Sequence, residues 1–188
     1  MSTGYQIKDQ YSLHYLTFQI VGWVDLFTRK IYKDIVIDSF KYMMANRGFQ
    51  LFAYVIMSNH IHLMAHSIDG KLSENIRDIK KFTSSKKIET IKLTPESRKD
   101  WMLNVFKSNA SQRKTNKYYQ VWTHENHAIH IYSNEFIREK IEYIHNNPVR
   151  AGIVENPEDY LYSSARNYAH LESQIDIPLL TIPWRTYS

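Results

Sequence analysis

The sequence contains no cysteine, which excludes a disulfide framework and thiolate metal sites and accords with a reducing compartment. It has no apolar run approaching the roughly 20 residues of a membrane span, so no membrane partner is expected. Its first residues, MSTGYQIKDQYS, lack the basic, apolar and small-residue succession of a secretory signal, and the expected location is cytoplasmic. Internal repeats, low-complexity tracts and an HExxH zinc signature are also missing. What is there is a chain of 188 residues, 43% hydrophobic and 23% charged, the make-up of an ordinary globular protein. That length fits one domain over 1–188 with its own core, residues 149–188 forming an extension packed on it.

Charge of one sign is gathered in one place. Residues 71–117 hold 13 Lys/Arg against 5 Asp/Glu, a local +8, whereas the remainder has 11 against 14. Such asymmetry points to a surface for a polyanion, most often a phosphate backbone, or simply to a solvated basic face.

Periodicity orders the elements. Residues 11–21 (YSLHYLTFQIV) read as a strand, being aromatic and β-branched. Residues 31–46 place Ile35, Val36, Ser39, Phe40, Met43 and Met44 on a helical stripe stopped at Arg47-Gly48. Strands over 49–57 and 60–66 flank a Ser58-Asn59 turn and predict an antiparallel hairpin. A helix over 72–91 is drawn through Leu72, Ile76, Ile79, Ile88 and Ile91, with Lys80, Lys81, Lys86 and Lys87 presented elsewhere on its surface. Residues 94–117 read as loop with some helix, and 121–132 as an irregular or short strand. Ser133-Asn134 can cap a helix over 135–146 that Pro148 should end, and the tail, with Pro157, Pro178 and Pro183, should wrap the domain. The order is that of an α+β fold: a ferredoxin-like antiparallel sheet with helices on one face.

Two constellations carry chemistry. In a strand, His60 and His62 project from the same face about 7 Å apart, near enough to share one ion. The plain alternative is a pair of core or surface histidines. Tyr143 and Asn147 stand one turn apart on a helix, with Tyr143 off the core stripe of Ile137, Ile141 and Ile144. A tyrosine there is either surface packing or a phenol aimed into a cleft, and with 14 tyrosines in the chain none is informative alone.

Three blocks together, MSNHIHLMAH, YIHNNPVRAGIV and Tyr160-Leu161-Tyr162-Ser163-Ser164-Ala165, resemble the single-tyrosine HUH transposases, in the branch associated with repetitive extragenic palindromes (REP). Their order and separation are similar over residues 11–168. The family often has proline where this chain has Ser58, a difference in the turn that removes no ligand. The resemblance implies that His60 and His62 bind a divalent ion, Mg²⁺ or Mn²⁺, that Asn147 completes the metal shell, and that Tyr143 is the nucleophile. It implies a single-stranded or hairpin DNA partner, and attack that leaves a 5′-phosphotyrosine and a free 3′ hydroxyl, so that rejoining needs no ATP. Physically, the ion would polarise a non-bridging phosphate oxygen. Two imidazoles and one amide suit zinc equally, so ligand type does not decide the metal. Lys80, Lys81, Lys86 and Lys87 are the expected DNA contacts, and the protein is expected to be a monomer or homodimer.

Three other readings compete. A histidine-triad nucleotide hydrolase needs alternating histidines, and Met64 breaks that pattern. A zinc hydrolase needs a third strong ligand and a base, for which no motif is present. A domesticated DNA-binding protein on the same fold, without strand transfer, is compatible with every residue above.

Overall fold

The backbone alternation of one strand, His60–Ser67, organises the structure, a computed structural model that describes residues 6–111 and 118–181. Four strands form an antiparallel sheet: β1 (His14–Gln19), β2 (Phe49–Ile56), β3 (His60–Ser67) and β4 (Ile129–His130), in the order β2-β3-β1-β4. With α1 (Lys30–Asn46) between β1 and β2, and α2 (Leu72–Leu93) after β3, this is the ferredoxin-like arrangement. An added helix, α3 (Lys99–Ser111), precedes β4, and α4 (Asn134–Arg150) and a short α5 (Ala165–Tyr168) follow it. No helix among the described residues is long and apolar enough to cross a membrane. Arg113, Lys114 and Lys117 of the basic stretch, and Pro183, lie outside the described residues.

The local causes are legible. Gly48 takes φ +58 after α1, where a side chain would be strained, and its carbonyl accepts from the Ile68 amide at 2.9 Å. The β2–β3 hairpin closes on Ser58 and Asn59, with the Met57 amide donating to the His60 carbonyl at 2.9 Å. The turn's own carbonyls are satisfied from outside, Ser58 by the Phe27 amide and Asn59 by the Ile20 amide.

Side chains of successive strand residues point to opposite faces. In register, Leu16 and Phe18 of β1, Tyr54 and Ile56 of β2, and Ile61 and Leu63 of β3 share one face. All are fully buried against α1 and α2, with Phe40 of α1 6.3 Å from the Tyr54 ring and Lys80 of α2 5.0 Å from the Phe18 ring. The other face carries Tyr15, Thr17, Gln19, His60, His62 and Met64. Helix α4 crosses this second face, where Tyr143 meets Tyr15 and His62. Thus α1 and α2 share one face as the element order implies, and α4 roofs the other.

Two expectations need correction. Pro148 does not end the last long helix, which runs to Arg150. A proline removes its own N–H from the ladder and crowds the carbonyl four residues back, a cost the surrounding packing can offset. The final turn is closed by the Ala151 amide donating to Asn147 and the Ile153 amide donating to Pro148, whose ring is buried. Asn147, the pre-proline residue, is therefore kept helical against its usual bias. The second correction concerns Lys87, which is not on the helix surface. It is fully buried, with Nζ 3.8 Å from the Trp122 ring centroid and 4.3 Å from that of Phe27, and without a hydrogen-bond partner among the described residues. Two aromatic faces attract the cation, offsetting part of its desolvation. No DNA phosphate can reach it there.

Burial holds the Lys87 ammonium well below its ordinary range. Below about pH 10.4 an unfolded lysine binds a proton, and the folded chain resists it, so stability falls as pH drops from that value towards the folded pKa. Lys87→Met should be at least as stable as the native chain at pH 7, by up to roughly 2 kcal/mol. Its advantage should shrink as the pH approaches 10. Urea midpoints of both proteins at pH 7 and pH 10 check this, and an advantage growing with pH would contradict it.

Candidate active site

His60 and His62 leave β3 on the face under α4, their ring centroids 4.7 Å apart. The Nδ1 atom of each is engaged. His60 Nδ1 lies 2.8 Å from Asn59 Oδ1, which can only accept, so Nδ1 carries the proton. The Asn59 amide is oriented in turn by donating Nδ2–H to Asp25 Oδ1 at 3.1 Å. His62 Nδ1 lies 2.7 Å from the Tyr15 hydroxyl and 2.9 Å from Thr17 Oγ1. For His60 the Nε2 lone pair is thereby left for a ligand, and for His62 it is left in the tautomer in which Nδ1 donates to these hydroxyls, the usual way a histidine is oriented towards a metal.

The protonation states agree. Burial lowers the pKa of His60, and His62 is lowered to about 3 by burial, then by His60 and Arg150 nearby. Both rings are neutral at neutral pH, the state that binds metal. Two neutral imidazoles side by side therefore fit a divalent ion. Among the described residues no third His, Cys, Asp or Glu joins them in a cluster. A further ligand must come from an amide such as Asn147, from water or from a substrate oxygen.

Helix α4 begins at the Ser133 cap, whose Oγ accepts from the Phe136 amide at 3.2 Å. Ile141, Ile144, His145 and Pro148 form its buried stripe. His145 Nε2 lies 2.8 Å from Ser164 Oγ, and burial lowers its pKa to about 4. Tyr143 sits beside this stripe, half-buried, its ring edge-on to His62 at 5.3 Å and to Tyr15 at 6.2 Å between centroids. Asn147 follows one turn later, half-buried, its side-chain amide without a hydrogen bond among the described residues. Two cations flank the tyrosine. The Arg150 guanidinium carbon is 4.8 Å from its ring centroid, and Lys140 Nζ is 5.9 Å away.

The fold thus brings His60, His62 and Tyr143 together, with Asn147 on the same helix as the tyrosine. The α2 lysines stand on the other side of the sheet. Lys81 and Lys86 are exposed, Lys86 pairing with Glu89 at 2.8 Å. Lys80 is half-buried and donates to the carbonyls of Thr123 at 2.9 Å and Glu125 at 3.4 Å. Its burial lowers the ammonium to about 7.

Sequence reasoning missed Tyr15, Thr17, Asn59, Asp25, Lys140 and Arg150. The period-two spacing of Tyr15 and Thr17 was visible, but their partner His62 depends on the β1–β3 register, which no local pattern specifies. Arg150 was hidden because the helix was expected to stop before Pro148.

No family model and no curated protein matches the chain. Among solved structures, the fold is similar to that of a REP-associated tyrosine transposase determined bound to a REP hairpin. The two share 19% sequence identity and a TM-score of 0.62, with 100% of each chain covered. The likeness establishes the α+β architecture. The chemistry rests on the residues themselves.

For an ion held through Nε2 of both rings, the hydroxyls on His62 Nδ1 set affinity. Replacing both, Tyr15→Phe with Thr17→Val, should weaken Mn²⁺ binding roughly 10- to 100-fold. Electron paramagnetic resonance titration measures it, with circular dichroism as the check on folding. Unchanged affinity in a folded variant would show that His62 is not a ligand through Nε2.

Proposed function

We propose that this protein cuts and rejoins single-stranded DNA, in hairpin or palindromic form, by transesterification at Tyr143, as a single-tyrosine transposase does. The observation that carries this reading is the meeting of a half-buried phenol with two neutral imidazoles, each anchored through Nδ1. The similar solved structure is that of a tyrosine transposase holding a hairpin, which supports the same reading.

In this reading His60 and His62 hold a divalent ion, Mg²⁺ or Mn²⁺, with Asn147 as the further protein ligand. The ion supplies Lewis-acid polarisation of a non-bridging phosphate oxygen. Tyr143 Oη attacks phosphorus in line, loses its proton, and forms the phosphotyrosine on the 5′ side as the bond to the 3′ oxygen breaks. The departing 3′ oxygen takes a proton and leaves as a hydroxyl. Arg150 and Lys140 beside the tyrosine balance the charge gathering on the phosphoryl oxygens, and the planar guanidinium suits two of them at once. Because one phosphoester is exchanged for another, the 3′ hydroxyl of an acceptor strand can reverse the step without ATP. The exposed lysines Lys81 and Lys86 serve the DNA backbone away from the site.

Tyr143→Phe keeps the ring and its edge contacts but removes the attacking atom. The variant should bind hairpin DNA and Mn²⁺ about as well as the native chain and form no covalent adduct. Denaturing gels of labelled single-stranded palindromes with Mn²⁺ show the outcome. An adduct from the variant would move the nucleophile elsewhere. If the native chain also gives no adduct while binding the hairpin, the protein is a DNA-binding module on this fold.

Charge reversal of Lys81 and Lys86 should weaken DNA binding and flatten its dependence on salt. Each lost duplex phosphate contact reduces the logarithmic slope by about 0.9. Titrations at several salt concentrations test this, and an unchanged slope would place the DNA on another surface.

A further inference from the structure

Asp25 stands exposed in the loop between β1 and α1, flanked by Val24 and Leu26, both fully buried. Those two neighbours pin the backbone on either side of it. Its carbonyl accepts from Arg98 Nη1 at 3.2 Å and from the Thr28 hydroxyl at 3.0 Å. The same loop grips the β2–β3 turn: the Phe27 amide donates to the Ser58 carbonyl at 2.8 Å, and the Ile20 amide to that of Asn59 at 2.9 Å. Asp25 is thus a carboxylate carried on a fixed backbone beside the turn that leads into His60.

From there each partner dictates the next. An ionised carboxylate only accepts hydrogen bonds, so Asp25 Oδ1 selects the Nδ2–H edge of Asn59, 3.1 Å away. With its donor edge turned to Asp25, Asn59 presents Oδ1, a pure acceptor, to His60 Nδ1 at 2.8 Å. A ring nitrogen facing an acceptor carries the proton, which leaves the Nε2 lone pair open. An amide turned the other way would offer N–H to Nδ1, move the ring proton to Nε2 and close that lone pair to any ion. His62 receives no such instruction, because the Tyr15 and Thr17 hydroxyls on its Nδ1 each donate or accept.

We propose that Asp25 is the positioning residue of the ion site: acting through Asn59, it fixes the amide flip and thereby the tautomer in which His60 offers Nε2 to a divalent cation. The inference rests on the ion-binding reading of His60 above and adds what prepares that ligand before the ion arrives. The two histidines then differ in character. His60 is set in advance by a chain of obligatory donors and acceptors, whereas His62 adjusts through rotatable hydroxyls as the ion binds. Pre-setting one ligand spares the binding step the ordering of that ring. The carboxylate also polarises the amide in the direction that makes His60 a stronger donor to the ion.

The test reads the ring directly. Long-range proton–nitrogen correlation spectra of the full chain, free of metal at neutral pH, report which ring nitrogen of His60 bears the proton. Its signal is assigned by its loss in His60→Ala. The native chain should show the Nδ1–H form. Asp25→Ala removes only an exposed side chain and should keep the native urea midpoint. It should nevertheless shift His60 towards the Nε2–H form and weaken Mn²⁺ binding, followed by electron paramagnetic resonance, about 10-fold. Asp25→Asn presents either edge to Asn59 and should give a mixture of the two tautomers. Adding Asn59→Asp to Asp25→Ala puts a group that only accepts beside His60, and should restore the Nδ1–H form without Asp25. In an Asn59→Ala background, Asp25→Ala should bring no further loss of affinity, a pattern that neither a folding defect nor a general loss of negative charge produces. The proposal is overturned if His60 keeps its Nδ1 proton in Asp25→Ala, or if Asn59→Asp fails to restore it. It is overturned too if the affinity penalty of Asp25→Ala is the same with and without Asn59. Mn²⁺ binding that ignores Asp25 sinks this role alone, whereas a native chain that binds no Mn²⁺ sinks the ion-binding reading and the role of Asp25 with it.

Discussion

The two-residue alternation along β3 is the constraint on which the rest depends. Ile61 and Leu63 go to the face under α1 and α2 and are wholly buried, and each such side chain stabilises the fold by roughly 1.5–3 kcal/mol. His60 and His62, one step out of phase, necessarily go to the other face. The imidazole pair is therefore held by the packing of the residues between its members. A slip of one residue in the β1–β3 register would bury both histidines in the apolar core and expose two aliphatic residues, so the site's geometry is guarded by the hydrophobic energy of the whole sheet.

Around that pair the structure builds a graded environment. Nearest are Tyr15, Thr17 and Asn59, which hold the ring nitrogens. Above lies α4, whose apolar stripe docks on the sheet while its neighbouring flank presents Tyr143 and Asn147. Beyond these stand Lys140 and Arg150, cations packed on the aromatic surface of the tyrosine. Neutral nitrogens thus lie on the sheet side of the tyrosine and two cationic side chains on its helix side, Lys140 being paired with Glu139 at 2.8 Å. The neutrality of the histidines arises from their desolvation.

Much of this was legible in the chain and some was not, for physical reasons. The hairpin, the long helices and the shared face of His60 and His62 follow from periodicity and turn chemistry, which are local. Lys87 was misread because a lysine in a helical pattern is ordinarily solvated. Only the tertiary meeting of Phe27 and Trp122 gives its charge somewhere to go. Pro148 was misread because a helix-breaking residue is tolerated where the final turn finds other donors and the ring is buried. Among the site residues, those in one motif could be seen together. Those joined by register or by helix docking, such as Tyr15 with His62, could not.

The tail has a consequence for assembly. Residues 162–164 run along β2, with the Ile56 amide donating to the Tyr162 carbonyl and the Ser164 amide to that of Tyr54, each at 2.9 Å. The hydroxyls of Tyr160 and Tyr168 reach the carbonyls of Ile56 and Phe52 from the same side. The backbone of that outer strand is thus already spoken for by its own chain, over the stretch where a second molecule would otherwise zip on. Strand addition along residues 54–56 of that border is closed, and a second copy that associates over this stretch meets side chains of the tail rather than free β2 backbone.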